Sequence, residues 1–391
     1  MDTTFPAAAI PTAGEADAIK KKLSENDLKK QLPERLLLWF DKSKRVLPWR
    51  ENPTPYRVWI SEIMLQQTRV EAVKPYFERF IAALPDIPAL AECTEETLLK
   101  LWEGLGYYNR ARNLKKAALC VVENGRRTLP ETYEELIKLP GIGSYTAGAI
   151  ASIAYGKRTP AVDGNVLRVL SRVLTYEKDV LSQEAKREME AFVLNLLPKE
   201  RPGDFNQALM ELGAVVCVPN GSPNCESCPL QGLCGALKED KISQLPVKAK
   251  KAKRRIEEKT IFLLQTDKKV ALHKRDNKGL LAGLYEFPNA AGHLTQEEAL
   301  KWVKEQGLEP IYIEPLEDAR HIFSHVEWHM KAYGVLLSDW KEPAAERNSY
   351  LFIEPEETKT KYPIPAAFLA YTRYMKMELG YEQAKRQFKE A

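Results

Sequence analysis

The sequence predicts two domains, an all-α domain followed by a smaller α+β domain, on three observations. At 391 residues the chain exceeds what a single hydrophobic core usually fills. From Leu36 to about Leu237, apolar residues recur at helical spacing. Beyond a basic stretch at 238–259 the apolar period changes to two, the signature of strands.

Composition bounds the class. Hydrophobic residues make up 44% and charged residues 29%, as in ordinary globular proteins. No run of roughly 18 apolar residues is present, so no membrane-spanning helix is expected. The opening "MDTTFPAAAIPTAGEADA" lacks a basic start and is broken by Pro6 and Pro11. It reads as a flexible tail over 1–30 rather than a signal peptide. A formal charge of +4 permits nucleic-acid binding without demanding it. Four of the six cysteines crowd one short segment, which suits metal ligation in a reducing cytoplasm better than disulfides.

The helical domain is expected over 31–237, from runs such as "LLLWF", "VWISEIML", "LLKLWEGLG" and "NVLRVLSRVL". In "VVENGRRTLPETY", Asn124-Gly125 ends one helix and Pro130 opens the next. No internal repeat is evident. Six of the eight residues from Lys248 to Arg255 are basic, and the linker at 238–259 suits either a solvated spacer or a segment lying along phosphates. The α+β domain, 260–391, contains strand-like "TIFLLQT", "KVALHKR", "PIYIEPL", "HIFSHVEWHMKAYGVLL" and "YLFI". One helix begins at Thr295, with Glu298 completing a capping box, and ends near Gly307. A second runs from about Pro365 to Leu379.

Cys217, Cys225, Cys228 and Cys234 lie in "CVPNGSPNCESCPLQGLC", a loop over 217–234 stiffened by three prolines. Two CxxC pairs with a long spacer would mean zinc; a single CxxC with two flanking cysteines suits an iron–sulfur cubane equally well. Cys93 and Cys120 fall in helical sequence and read as core.

In "LPGIGSYTAGAI", Gly141 and Gly143 make a tight turn into a helix of small residues. Bare amides at such a helix start are suited to a phosphate. A close-packed helix–helix turn would explain the glycines as well. Asp163, in "TPAVDGNVLRVLSRVL", precedes an amphipathic helix that buries Val166, Leu167, Val169, Leu170, Val173 and Leu174. Its simplest role is a helix cap. Glu62 sits among Trp59, Ile60, Ile63, Met64 and Leu65, where desolvation would raise its pKa toward that of a useful acid. An exposed glutamate on a polar helix face is the plainer alternative.

Together, "LPGIGSYTAGAI", "PAVDGNVLRVLSR" and the four cysteines resemble the helix–hairpin–helix DNA glycosylases of the endonuclease III superfamily. That resemblance implies an all-α helix–hairpin–helix glycosylase domain, a hairpin that grips the DNA backbone through Gly141 and Gly143, a catalytic Asp163, and a 4Fe-4S cluster on the four cysteines, with zinc as the alternative. The family pattern places six residues between the first two cysteines; seven separate Cys217 from Cys225 here. Within the superfamily, "LPWRENPTPYRVWISEIMLQQTRV" is most similar to the adenine DNA glycosylases, whose catalytic glutamate falls on Glu62. The resemblance also implies adenine-pocket residues Trp49 and Arg50, DNA or base contacts from Leu65, Gln67 and Thr68, and a wedge at Tyr107 in "GLGYYNRARNL", with Arg110 and Arg112 meeting phosphates. Endonuclease III proper carries a lysine at the position of Tyr145. A tyrosine forms no Schiff base, so the strand should stay intact.

"GLLAGLYEFPNAAG" followed by the Thr295 helix resembles a Nudix-type fold. The helix lacks the Arg-Glu and paired glutamates that hold magnesium in an active hydrolase. The adenine glycosylases carry such a Nudix-like α+β C-terminal domain for 8-oxoguanine recognition, and Phe323, Ser324 and His325 resemble its base-contacting loop. The implied mechanism flips adenine out of the duplex. Glu62 protonates the base and activates water, Asp163 stabilises the cationic sugar, and Tyr145 and Asn165 orient them. The expected partner is double-stranded DNA bearing A:8-oxoguanine or A:G mispairs, bound by a monomer in a bacterial cytoplasm. A bifunctional glycosylase for oxidised pyrimidines fits less well, given Tyr145. A purely structural DNA binder has no use for Glu62 and Asp163, and a pyrophosphatase would need the missing carboxylates.

Overall fold

The computed structural model describes residues 25–249, 254–266, 268–276, 278–338, 350–377 and 379. Residues 1–24 of the expected tail at 1–30, residues 250–253 and the end of the chain from 380 lie outside them; the rest of that expected tail, 25–30, is helical. The chain divides into two compact units: one combines the described residues up to Glu62 with Thr128–Ala249, the other Ile63–Arg127 with the described residues from Arg254 on.

Helices follow in chain order as α1 Glu25–Ser43, α2 Pro48–Glu51, α3 Pro55–Leu65, α4 Val70–Ala83, α5 Ile87–Glu92, α6 Glu95–Leu101, α7 Asn109–Glu123, α8 Tyr133–Leu136, α9 Ser144–Ile153, α10 Gly164–Val173, α11 Gln183–Leu196, α12 Pro202–Val215 and α13 Gly235–Lys238. Short polar side chains start many of them. Asp86, Thr94, Thr132, Asp163 and Ser182 each accept a first-turn amide of their helix. Thr132 rather than Pro130 therefore opens α8. Gly125, at φ 70°, does end α7 as expected.

The first unit packs around α10. Val166, Val169 and Leu170 meet Leu32, Leu36 and Phe40 of α1 and Phe205, Leu209 and Leu212 of α12. α10 buries its expected apolar side, and Arg168, Ser171 and Arg172 on its polar side are buried as well. Their polar groups find backbone partners: Arg168 donates to Gly213 O (2.8 Å) and Cys217 O (2.8 Å), and Arg172 to Leu245 O (3.0 Å).

In the second unit a mixed sheet is formed by β1 Arg255–Thr266, β2 Lys269–Lys274, β3 Tyr285–Glu286, β4 Asn289–Ala291, β5 Pro310–Ile322, β6 Val326–Leu337 and β7 Tyr350–Ile353, with α14 Gln296–Glu305 before β5. The order is β3-β2-β1-β6-β5, with β1 and β6 parallel. Alternation along β1 divides the core. Phe262 and Leu264 face Ala299 and Val303 of α14, while Ile261 and Leu263 join Trp328, Phe368 and Tyr371 on the other side. The capping box at Thr295 and Glu298 is present, and Gly307 at φ 76° follows the helix.

Three expectations need correction. β1 begins at Arg255, inside the expected linker. "HIFSHVEWHMKAYGVLL" is two strands, because Phe323 N bonds Val326 O at 2.8 Å and turns the chain through 323–325. The helix expected from Pro365 is three short turns, Ala366–Phe368, Leu369–Thr372 and Arg373–Lys376, which fill the sheet face with Phe368, Tyr371 and Met375.

Candidate active site

In the first unit, α3 presents Glu62 and α9 presents Tyr145. The Tyr145 hydroxyl donates to Glu62 Oε2 and lies 3.2 Å from Met210 Sδ. Glu62 is 7% exposed. Burial pushes its pKa from 4.5 up to about 7; the nearby Asp163 adds to the rise, while the Tyr145 hydrogen bond and Arg50 oppose it. Tyr145, raised far above its usual range by burial and the same carboxylates, remains a donor.

Asp163 caps α10. Its Oδ1 accepts the amides of Asn165 (2.9 Å) and Val166 (2.8 Å), and Oδ2 accepts Asn165 Nδ2 at 2.7 Å. Burial raises its pKa against those bonds and the Arg168 charge. Arg168 in turn holds Asn165 Oδ1 at 2.8 Å, fixing the amide that orients the carboxylate. The cap and a site carboxylate are thus the same side chain.

The small residues after Tyr145 have a packing reason. A Cβ on Gly148 would lie 1.9 Å from the carbonyl oxygen of Pro160, so only glycine lets α9 rest on the segment that leads to Asp163. Buried Asn206 ties the two together, donating to Ser152 Oγ (2.9 Å) and Thr159 O (2.9 Å) and accepting from Ala161 N (3.2 Å). In the turn itself Gly141 adopts φ 77°. Gly143 is the N-cap of α9 with no side-chain bond to the first amides.

Trp49 is a buried residue of α2. Arg50 donates to Glu211 Oε2 (2.9 Å), Gln207 Oε1 (3.0 Å) and Arg45 O (3.1 Å). Arg45 grips Glu211 as well, at 2.6 and 2.9 Å. Burial would raise Glu211, but the two guanidinium groups prevail and hold its pKa at about 2. Sequence reasoning missed Glu211, Arg45, Met210 and Asn206. Glu211 could have been found, since "ALMELGAVV" surrounds it with apolar residues just as Glu62 is surrounded.

Cys217, Cys225, Cys228 and Cys234 line one cavity with apolar walls that include Val169, Val173 and Leu230. Arg172 Nη1 lies 3.2 Å from Cys217 Sγ, a cation placed for anionic sulfur. The longer spacing between the first two cysteines turns through Gly221 at φ 78°, and residues 219–222 are exposed, so the extra residue bulges outward. A zinc ion draws its sulfurs to about 2.3 Å. Among the described residues no group of three or more His, Cys, Asp or Glu side chains is arranged to hold a metal ion, and four cysteines are a soft-donor set that either zinc or an iron–sulfur cluster accepts. Cys93 and Cys120 are half-buried rather than core.

In the second unit Leu65 and Thr68 are half-buried and Gln67 is exposed. Tyr107 and the Phe323–His325 turn line one open cleft. Phe323 packs on Trp328, ring centroids 4.9 Å apart, which leaves Ser324 and His325 exposed. Two arginines depart from expectation. Arg110 spends its guanidinium on backbone carbonyls of its own unit, Ile63 and Gln66 among them, and Arg112 bonds Glu95 (2.7 Å) and Ala282 O (2.5 Å). Neither is a free phosphate ligand.

Residues 60–198 match the HhH-GPD superfamily of base excision DNA repair proteins, and residues 260–373 match the NUDIX domain. The chain is 36% identical over 362 residues to the adenine DNA glycosylase of Homo sapiens, covering 77% of this chain and 66% of that protein. It is 34% identical over 307 residues to the adenine DNA glycosylase of Buchnera aphidicola subsp. Baizongia pistaciae, covering 78% of this chain and 85% of that one. Among solved structures, a thermostable thymine-DNA glycosylase superposes with a TM-score of 0.50 at 29% identity, over 55% of this chain and 98% of that one. Among the described residues no helix is long and apolar enough to cross a membrane.

Proposed function

The chain belongs to the adenine DNA glycosylases, within the HhH-GPD superfamily of base excision DNA repair proteins, and from that premise we propose that it excises adenine mispaired with 8-oxoguanine or guanine, hydrolysing the glycosidic bond and leaving the strand intact. The observation that carries this reading is Glu62: a buried carboxyl with a pKa of about 7, held by a tyrosine, in the same unit as a capped Asp163. A carboxyl poised near neutrality can deliver a proton to the departing base. Asp163, fixed by three hydrogen bonds, stabilises the positive charge that grows on the sugar. Tyr145 orients the acid and Asn165 the anion.

The uncapped amides at Gly143 and the turn at Gly141 take a phosphate of the flipped strand. Trp49 and Arg50 back the adenine pocket. Gln67 and Tyr107 enter the space the base leaves, and Ser324 and His325 read the oxidised partner base. Cys217, Cys225, Cys228 and Cys234 would hold a 4Fe-4S cluster, which when bound would tie the two ends of the 217–234 loop together through its own four sulfurs. Metal analysis checks this: four iron per chain is expected, and one zinc without iron contradicts it.

A duplex with one adenine opposite 8-oxoguanine, examined before and after alkali, tests the reaction itself. Breakage only after alkali is expected, because no amine occupies the position of Tyr145. Breakage without alkali would reveal a lyase, and no product under either condition would sink the reading.

A further inference from the structure

Arg110 extends from α7 into the interior of the second unit. Its Nη1 donates to the carbonyls of Ile63 (2.8 Å), Met64 (3.1 Å) and Gln66 (2.6 Å). Its Nη2 donates to those of Leu105 (3.0 Å) and Gly106 (3.2 Å). The first group includes carbonyls at the end of α3 that the helix leaves unsatisfied; the second belongs to the turn before α7. The ring of Trp102, 5.4 Å from the guanidinium, supports it from beside, and Trp102 Nε1 bonds Gly106 O at 3.1 Å.

Each turn held this way contains one non-glycine residue in the left-handed region, Gln67 at φ 59° and Tyr107 at φ 48°. Both side chains are exposed, Tyr107 by 49%. Side chains rarely adopt such a conformation unless their surroundings over-determine it. Here a single planar fork reaches both turns at once, which an ammonium group cannot do.

We propose that Arg110 is a positioning residue: it clamps the 63–68 and 104–107 turns as one unit and so presets Gln67 and Tyr107, before DNA arrives, for entry into the duplex. What the two side chains enter rests on the glycosylase reading; the clamp does not.

Arg110→Lys in the full chain tests it. In the DNA-free protein, the Thr68 amide (bonded to Leu65 O at 3.2 Å) and the Leu105 amide (bonded to Trp102 O at 3.1 Å) should exchange hydrogen about tenfold faster together. Acceleration at one turn alone, or at neither, overturns the clamp. Affinity for undamaged duplex and its salt dependence should not change, because the guanidinium faces no phosphate. A uniform loss of affinity with a salt slope smaller by about one would place Arg110 on the DNA backbone and overturn the proposal. Binding to a mispaired duplex should weaken about tenfold relative to undamaged duplex, and unaltered discrimination overturns the presetting. If the variant fails to fold, wild-type exchange decides: the two amides must open with one common free energy, and separate values refute the clamp. A wild-type chain that released no adenine would refute the glycosylase reading, leaving the exchange result to judge the clamp.

Discussion

Asp163→Asn lowers the single-turnover rate of adenine release by about 10²–10³-fold while leaving the fold intact. The two consequences separate because the proposed reaction gives Asp163 a second role beside its cap. As the N-cap of α10 it accepts the Asn165 and Val166 amides, and asparagine caps a helix about as well as aspartate. The amide oxygen keeps the two α10 bonds, but the new Nδ2 cannot accept Asn165 Nδ2 as Oδ2 does, so a loss of about 1 kcal/mol is expected, the worth of one hydrogen bond. What asparagine cannot supply is a negative charge beside the developing sugar cation. Single-turnover kinetics together with urea unfolding distinguish the roles. Equal losses in both would make Asp163 a structural cap alone.

Glu62→Gln gives a second large effect, with opposite signs in activity and stability. The rate should fall by about 10²–10⁴-fold, the usual contribution of a positioned acid. Stability should rise. The Glu62 pKa is lifted by burial from 4.5 to about 7, so the folded state retains a proton that the unfolded chain has released. Protonation of Glu62 thus contributes stability that is fully present below about pH 4.5 and is lost as the pH rises through about 7. Glutamine, an uncharged isostere that still accepts the Tyr145 hydroxyl, suffers no such loss. At pH 8 the variant should be more stable than the wild type by about 3 kcal/mol, the equivalent of that shift at 1.36 kcal/mol per pH unit. At pH 4 the two should unfold alike. Urea unfolding at both pH values checks the sign.

Much of this site was legible in the chain because its determinants are local. Glycines at 141 and 143, the cap at Asp163 three residues before Val166, and the apolar residues around Glu62 each act through immediate neighbours. The four cysteines, close in sequence, were bound to be close in space. What escaped notice depends on distant backbone. Glu211 is anchored by Arg45 and Arg50, more than 160 residues earlier, and only the packing of α12 brings them together. Arg110 looked like a phosphate ligand because a surface arginine and one that gathers buried carbonyls have the same sequence signature. In the second unit the period of two marked the strands, but it could not show the turn at Phe323–His325, whose flanking strands alternate in the same way.

In the proposed reaction a protonated Glu62 and an ionised Asp163 divide the work, and the pH dependence of the single-turnover rate of adenine release reads both groups in one experiment. A bell-shaped profile is expected. The alkaline limb falls above about pH 7 as Glu62 loses its proton, and the acid limb falls as Asp163, itself raised by burial, gains one. In Glu62→Gln the alkaline limb should disappear from whatever rate remains. A wild-type rate that is level or rising from pH 6 to 9 would contradict the assignment of Glu62 as the acid.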